Sequence, residues 1–466
     1  MEHSKAKPVT MTNTSCHVVA MPYPGRGHIN PMINLCKHIL SQKPDILFTF
    51  VVTEEWLSFL SPYKMPTNIR FQTIPNVIPS ELGRANDFPG FLEAVATKMK
   101  VPFLQLLDGL DFSVDAIIYD TYLDWVVKVG NSRNIPVASL FTMSATVFSV
   151  FHHFDLLVQN DHFPLELSEQ GEEVVDYIPG VPPARLLDLP TVFNGTGRQV
   201  LSRALEPVSM VSKAQYLLFT SAYELEAGVI DALKLKFPFP VYTLGPSIPY
   251  VELKDNSGLS TNDHNIPDYL EWLNSQPKGS VFYVSMGSFL SVSSAQKEEI
   301  VAGVCNSGVR FLWVSRGETT LFKDGYGNMG LVVSWCDQLG VLSHPSVGGF
   351  MTHCGWNSTM EGVFSGIPML AFPIFWDQIP NSKKIVEDWN VGWRVKPGVD
   401  HESLVTREEI AELVKNLMDQ ESDEVKTMRR KAKELQEACR AAIARGGSSH
   451  SNLASFIRDI SQGKAK

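Results

Sequence analysis

Two stretches of this sequence hold side chains of the types that move protons and bind charge. In the first, VVAMPYPGRGHINPMINL (residues 18–35), the apolar run Val18–Met21 predicts a buried strand. Pro31 then opens a stretch in which Met32, Leu35, Cys36, Ile39 and Leu40 fall at helical spacing. His28 lies on the turn between them, at the carboxyl end of a strand, where open α/β sheets bind their ligands. Asp120 ends another apolar run, AIIYD, and therefore reaches the same edge. A carboxylate beside an imidazole fixes its tautomer and stabilises the cation formed when the ring takes a proton, so the two residues make a candidate general base. Each also has an ordinary alternative: His28 bonding to backbone at a helix start, and Asp120 capping the helix that follows it.

The loop around His28 also invites a nucleotide-binding reading. Gly25 and Gly27 fit the first two positions of G-x-G-x-x-G, and Glu54 or Glu55 would supply the acid for the ribose hydroxyls. Asn30 occupies the place of the third glycine, which normally permits close packing of helix on strand. That substitution weighs against a nicotinamide-dependent oxidoreductase.

The second stretch, residues 344–378, alternates apolar runs with polar punctuation. Gly349–Thr352 reads as a short strand, HCGWNS as a tight turn, and Thr359 as the start of a helix that Gly366 closes. His353, Asn357, Ser358 and several backbone N–H groups are thereby placed around a helix N-terminus, whose partial positive charge suits a diphosphate. Upstream, Trp335 follows the strand-like GLVVS and offers an indole face on which a base can stack. Glu361 can accept both hydroxyls of a ribose, and Asp377 with Gln378 supplies the acceptors and donors that grip adjacent sugar hydroxyls. Singly, Trp335 would serve as core, Glu361 as helix surface and Asp377 as a cap. Their order along the chain is what favours a ligand.

Strand-like runs ILFTFVVT (46–53), AIIYDTY (116–122), VFYVSMGS (281–288), FLWVS (311–315) and MLAFPIF (369–375) alternate with helical segments, which predicts parallel βαβ sheets. The stretch 245–267, rich in Gly, Pro, Ser and Asn, reads as a linker between two α/β domains, residues 1–250 and 251–466, with a cleft between them. At the end of the chain, Thr406 and Glu409 form a capping box ahead of a buried apolar stripe, and a second helical segment covers about 422–444. The net charge of −10 opposes binding to nucleic acid, where phosphates are held by Lys and Arg. With six scattered cysteines, no C-x-x-C pair, no secretory segment and no membrane-length apolar run, the expectation is a cytoplasmic protein. No carboxylate cluster has metal-ligand spacing, and the expectation is that the protein needs no metal and no bound cofactor.

From Trp335 to Gln378, the succession of W, Q, H-C-G-W-N-S, E, G-I-P and D-Q resembles the signature box of plant UDP-sugar-dependent glycosyltransferases of family 1. PGRGHINP resembles that family's catalytic-histidine loop, PGVPPARLLDLP (179–190) and TSAYELE (220–226) its mid-chain segments, and GGSSHSNLASF its ending. The resemblance implies a GT-B fold, two Rossmann-like domains facing across a cleft, with the C-terminal helix packing back on the first. It implies His28 as base and Asp120 as its partner. For the donor it implies Trp335 on uracil, Gln338 beside base and ribose, Glu361 on the ribose, and Ser288, His353, Asn357 and Ser358 on the diphosphate. Trp356, Asp377 and Gln378 would face the sugar, with Thr142 reaching into the same region. The implied activity is inverting transfer of glucose from UDP-glucose to a hydroxyl or carboxyl of a small lipophilic acceptor, by a monomer needing no metal. A non-catalytic sugar-nucleotide-binding protein is the remaining alternative. Arg26 stands where the family more often has Gln, Met286 where it has Phe, and Cys336-Asp337 where it has Ala-Pro; the segment between Trp313 and Trp335 is short. Phe88, Phe91, Phe148, Phe151 and Phe193 are available to line an acceptor pocket, or equally to fill a core.

Overall fold

Continuous burial along the apolar runs is what makes them strands of parallel sheets covered on both faces; all eight residues of ILFTFVVT are buried. The computed structural model describes residues 15–61, 64–164, 166–256, 267–287, 292–315, 329–395 and 404–462. Among these, the first half carries β1 (Cys16–Met21), β2 (Ile46–Thr53), β3 (Ile69–Ile74), β4 (Ala116–Asp120), β5 (Val137–Phe141), a two-stranded ribbon of β6 (Val174–Val175) and β7 (Ala184–Arg185), β8 (Tyr216–Phe219) and β9 (Val241–Thr243). The second carries β10 (Val281–Ser285), β11 (Arg310–Val314), β12 (Gly330–Val333), β13 (Val347–Thr352), β14 (Met369–Ala371) and β15 (Gly392–Arg394).

The strands assemble as two parallel sheets, in the orders β3-β2-β1-β4-β5-β8-β9 and β12-β11-β10-β13-β14-β15. In each, the chain starts at a central strand, winds outward to one edge and returns to wind outward to the other. The reversal leaves a crevice at the carboxyl ends of β1 and β4 in one sheet and of β10 and β13 in the other, the place where such folds bind ligands.

Four local expectations are corrected. The first helix runs Arg26–Gln42, so Pro31 lies inside it and His28 on its first turn. A proline there removes the N–H that would bond the carbonyl four residues back, that of Gly27. That carbonyl instead accepts Asn357 Nδ2, at 2.9 Å, from the second half. The helix after HCG begins at Trp356, three residues before Thr359, and β13 begins at Val347, two before Gly349. The stretch read as an aperiodic linker contains a helix, Tyr250–Asn256, anchored from outside itself: Tyr250 stacks on His38 at 4.3 Å and Glu252 pairs with Lys37. Residues 257–266, and the short segment at 316–328, lie outside the described residues.

The capping box at Thr406 and Glu409 is present, and the helix Asp423–Ile443 is capped by Ser422. The last helix, Ser448–Ser461, returns to the first sheet. Its Leu453, Phe456, Ile457 and Ile460 join the core that contains Cys16, Val18, Ile46 and Phe48. Tyr242 Oη donates to Asp459 at 2.8 Å and Asn452 Nδ2 to the Thr243 carbonyl at 3.1 Å, fixing its register. Phe456 is fully buried, with its ring edge-on to Tyr216 at 5.6 Å. Phe456→Ala is therefore expected to cost about 3–5 kcal/mol, the range for truncating a core phenylalanine. Denaturant midpoints measure this, and a loss below about 1 kcal/mol would show that the returning helix is not part of that core.

Candidate active site

His28 comes to the crevice because it sits on the first helical turn after β1, and Asp120 because it is the last residue of the neighbouring β4. Their side chains meet: His28 Nδ1 lies 2.7 Å from Asp120 Oδ2. The imidazole is 21% exposed and the carboxylate 1%. A buried carboxylate needs partners for its lone pairs, and the other oxygen of Asp120 accepts the Tyr122 backbone N–H at 3.0 Å. Thr142 Oγ1 stands 2.9 Å from the same His28 Nδ1, so Thr142, expected near the sugar, is brought to the imidazole. Tyr23 and Tyr122 wall the ring, at 5.0 and 6.2 Å between centroids. With Nδ1–H donating to Asp120, Nε2 carries the lone pair.

One glycine of this loop serves packing. A Cβ on Gly25 would come within 2.7 Å of Arg84 Nη1, a guanidinium that donates to the Pro24 carbonyl at 3.0 Å. Of the acids considered for a dinucleotide, Glu55 accepts Ser80 Oγ and the Glu81 N–H and is committed to its own loop. Arg26, which stands where the family more often has Gln, is half-buried and reaches over the Trp56 indole at 5.8 Å, a cation–π contact.

The second sheet presents a matching edge. Gly287 follows β10 at φ +79°, and a Cβ there would lie 2.6 Å from His353 Nε2; one on Gly355 would lie 2.5 Å from the same atom. The imidazole thus fills the space that two glycines leave open. The helix Trp356–Ser365 has Gly355 at its N-cap, with no side-chain cap and no acid in the first turn, so its leading N–H groups have no capping side chain. A few residues on, Gln338 Nε2 donates to Ser358 Oγ at 3.0 Å and to Glu361, while its Oε1 accepts Tyr283 Oη at 3.1 Å. Burial pushes the Glu361 carboxyl up to about 7, offset in part by the Gln338 amide. Trp335 lies at the edge of this cluster with 55% of its surface exposed.

Asp377 accepts Asn381 Nδ2 at 2.8 Å, and Gln378 Oε1 accepts the N–H groups of Ile374 and Phe375 at 2.8 and 3.0 Å. Burial pushes the Asp377 carboxyl up to about 6, while the Asn381 bond and the His28 imidazole across the cleft pull it back. Both residues are thus set by their own loop, with Gln378 held through its Oε1. Trp356 is only 3% exposed and packs among Met360, Val363 and Ile385 in the core of the second half. Asn357, expected at a diphosphate, makes its described side-chain bond to Gly27 of the facing half. Ser288 lies outside the described residues.

Local sequence gave no sign of how the halves join. Trp376, at φ +60°, inserts into the core of the first half, and its backbone N–H donates to Thr191 Oγ1 at 2.8 Å. Glu226 accepts the N–H groups of Ala145 and Thr146 at 3.0 Å each and lies 3.5 Å from Lys384 Nζ; Asp188 binds Arg394 at 2.8 Å. Of the five phenylalanines considered for an acceptor pocket, Phe91, Phe148, Phe151 and Phe193 are core. Phe88 alone among them is partly exposed, against Phe375 and Trp376 at 5.7 and 6.1 Å.

The sequence model of the family described as "UDP-glucoronosyl and UDP-glucosyl transferase" matches residues 198–432. UDP-glycosyltransferase 87A2 of Arabidopsis thaliana is 55% identical over 446 residues, covering 95% of this chain and 96% of its own. Among solved structures, Medicago truncatula UGT71G1 complexed with UDP-glucose superposes with a TM-score of 0.80 at 25% identity, over 96% of this chain and 99% of that one. Phytolacca americana UGT2, complexed with UDP-2-fluoro-glucose and pterostilbene, gives 0.80 at 27% identity over 96% and 100%. With two Rossmann-like sheets facing across a cleft and a signature box at the edge of the second, the chain belongs to the plant family 1 UDP-glycosyltransferases, enzymes of GT-B fold.

Proposed function

We propose that the enzyme transfers glucose from UDP-glucose to a hydroxyl or carboxyl group of a small lipophilic acceptor, with inversion at the anomeric carbon, and that it does so as a cytoplasmic monomer without a metal. The observation that carries this reading is the His28–Asp120 pair, 2.7 Å apart at the carboxyl edge of the first sheet and facing the second. His28 Nε2 takes the proton of the acceptor hydroxyl as its oxygen attacks the anomeric carbon, and Asp120 stabilises the imidazolium that results. The bond from that carbon to the diphosphate oxygen breaks on the opposite face, giving a β-glucoside and UDP.

The leaving diphosphate gains charge as the bond breaks. The uncapped N-terminus of the helix Trp356–Ser365, with Ser358 and His353, supplies donors to it; Ser288, expected at the same group, lies outside the described residues. Trp335 stacks on the uracil, Gln338 and Glu361 bind the ribose, and Asp377 with the Gln378 amide binds the glucose. Asn357 holds the two halves together beside the diphosphate, and Thr142 steadies the imidazole at the sugar's edge. Trp356 shapes the sugar pocket from beneath. The family's structural relatives bound to UDP-glucose and UDP-2-fluoro-glucose support glucose as the donor's sugar.

Incubation with UDP-glucose and a phenolic acceptor tests the reading directly: UDP is released in step with a β-glucoside whose anomeric configuration is read by NMR. His28→Ala is expected to lower kcat for a hydroxyl acceptor by about 100-fold or more while UDP binding stays near that of the wild type. Near-normal turnover would remove His28 from the base role. For a carboxylate acceptor, which is already ionised, the loss is smaller.

A pH effect follows from Glu361. If its carboxylate receives both ribose hydroxyls, binding requires the ionised form, which prevails above about 7. UDP-glucose, whose diphosphate has no ionisation near neutrality, is therefore expected to bind about tenfold more weakly at pH 6 than at pH 8. Glu361→Gln flattens the profile. For folding the sign is opposite: the folded value lies above the ordinary 4.5, so Glu361 withdraws stability as pH rises from about 4.5 toward 7. Calorimetric titrations across this range, in both proteins, measure the binding effect; parallel profiles in the two would place the titrating group elsewhere.

A further inference from the structure

Beside His28 sits a polar group that the mechanism above leaves unused, the hydroxyl of Tyr23. The side chain is 7% exposed, and its Oη is buried with no hydrogen-bond partner among the described residues. A phenylalanine would fill the same space without leaving a donor unpaired, so the unmade bond is a cost to the free protein. Tyr23 lines a crevice with Leu92, Ala96, Tyr122 and Arg203, all of the first half. Two of these walls reach the reaction centre: the Tyr23 ring lies 5.0 Å from the His28 ring, and the Tyr122 backbone holds Asp120.

Resting on the glucosyltransferase reading above, we propose that Tyr23 is a specificity determinant, its hydroxyl donating a hydrogen bond to a second, uncharged oxygen of the acceptor, such as a carbonyl, apart from the hydroxyl that His28 deprotonates. The charges around the crevice favour a neutral oxygen over a carboxylate. Arg203 binds Glu93 and lies 3.9 Å from Glu206, Arg84 lies 3.0 Å from Glu81, and Asp124 and Glu206 stand on the rim. The guanidiniums that face Tyr23 are thus already matched by carboxylates, and Asp120 adds another negative charge. Burial drives the phenol's ionisation far above its ordinary value, so Tyr23 stays protonated and acts as a donor throughout the physiological range.

Two acceptors of nearly equal outline separate the contributions: 7-hydroxycoumarin, which carries a lactone carbonyl, and 2-naphthol, which has only its hydroxyl. Wild type is expected to favour the coumarin, and Tyr23→Phe to lower kcat/KM for it by about 10- to 100-fold while changing that for 2-naphthol less than about twofold. The KM for UDP-glucose stays constant in both. An equal loss with both acceptors would make the phenol a support for His28 and overturn the proposal, as would no loss with either. Transfer to 2-naphthol without preference for the coumarin would overturn it and leave the glucosyltransferase reading standing. Failure of the wild type to glucosylate either, with UDP still bound, would overturn both.

Discussion

The hydrogen bond between His28 and Asp120 exists only because β1 and β4 are neighbours, the 94 residues of chain between Met21 and Ala116 having been sent outward and brought back to make them so. A parallel sheet that starts in its middle has one place where adjacent strands lead to helices on opposite sides, and loops there cannot pack against each other. Into that gap β1 and the first turn of its helix deliver the imidazole, and β4 delivers the carboxylate. Asp120 is buried to 1% exposure, which is tolerable for a charge only while the imidazole and the Tyr122 N–H occupy its oxygens. The burial of the carboxylate and the placing of the imidazole are one arrangement here. The second sheet repeats it, with Gly287 after β10 and His353 after β13 packed together at the corresponding gap.

Two half-sites become one only if the sheets are held at a set separation. Pro31 contributes to this by what it lacks. Without its N–H, the Gly27 carbonyl is left over on the turn that carries His28, and Asn357, on the first turn of the facing helix, takes it. His28 and the helix Trp356–Ser365 are therefore tied through backbone a single residue from His28. Farther out, Trp376 inserts apolar surface from the second half into the core of the first, and buried pairs such as Asp188–Arg394 and Glu226–Lys384 cross the same seam. Such pairs add little net stability, but each is costly to break singly, which favours one mutual orientation of the halves.

Much of this was legible in the residues themselves. Long apolar runs bounded by Gly, Pro and polar clusters marked β2, β4, β10 and β11, because a strand buried on both faces admits few polar residues. His28 and Asp120 could be placed at strand ends, and the order of Trp335, His353, Glu361, Asp377 and Gln378 pointed to a nucleotide-sugar, since short-range spacing fixes which residues share a loop or a helix turn. The capping box at Thr406 could be read for the same reason.

What the sequence left undecided depends on residues far apart in the chain. Pro31 looked like a helix start because local rules place proline there; the helix reaches back to Arg26, and the carbonyl that Pro31 leaves over is taken by Asn357, 330 residues away. The helix Tyr250–Asn256 hides in a stretch without periodicity, since its anchors are His38 and Lys37 on another helix. Phenylalanines that would suit a pocket or a core equally well were divided between them by packing alone. Local spacing determined which chemical groups the protein owns and which elements carry them. Only the tertiary structure decided which groups touch, because the bonds that join His28 to Asp120, Gly27 to Asn357 and Gln338 to Glu361 are made between separate segments, and their partners are chosen by the winding of the sheets.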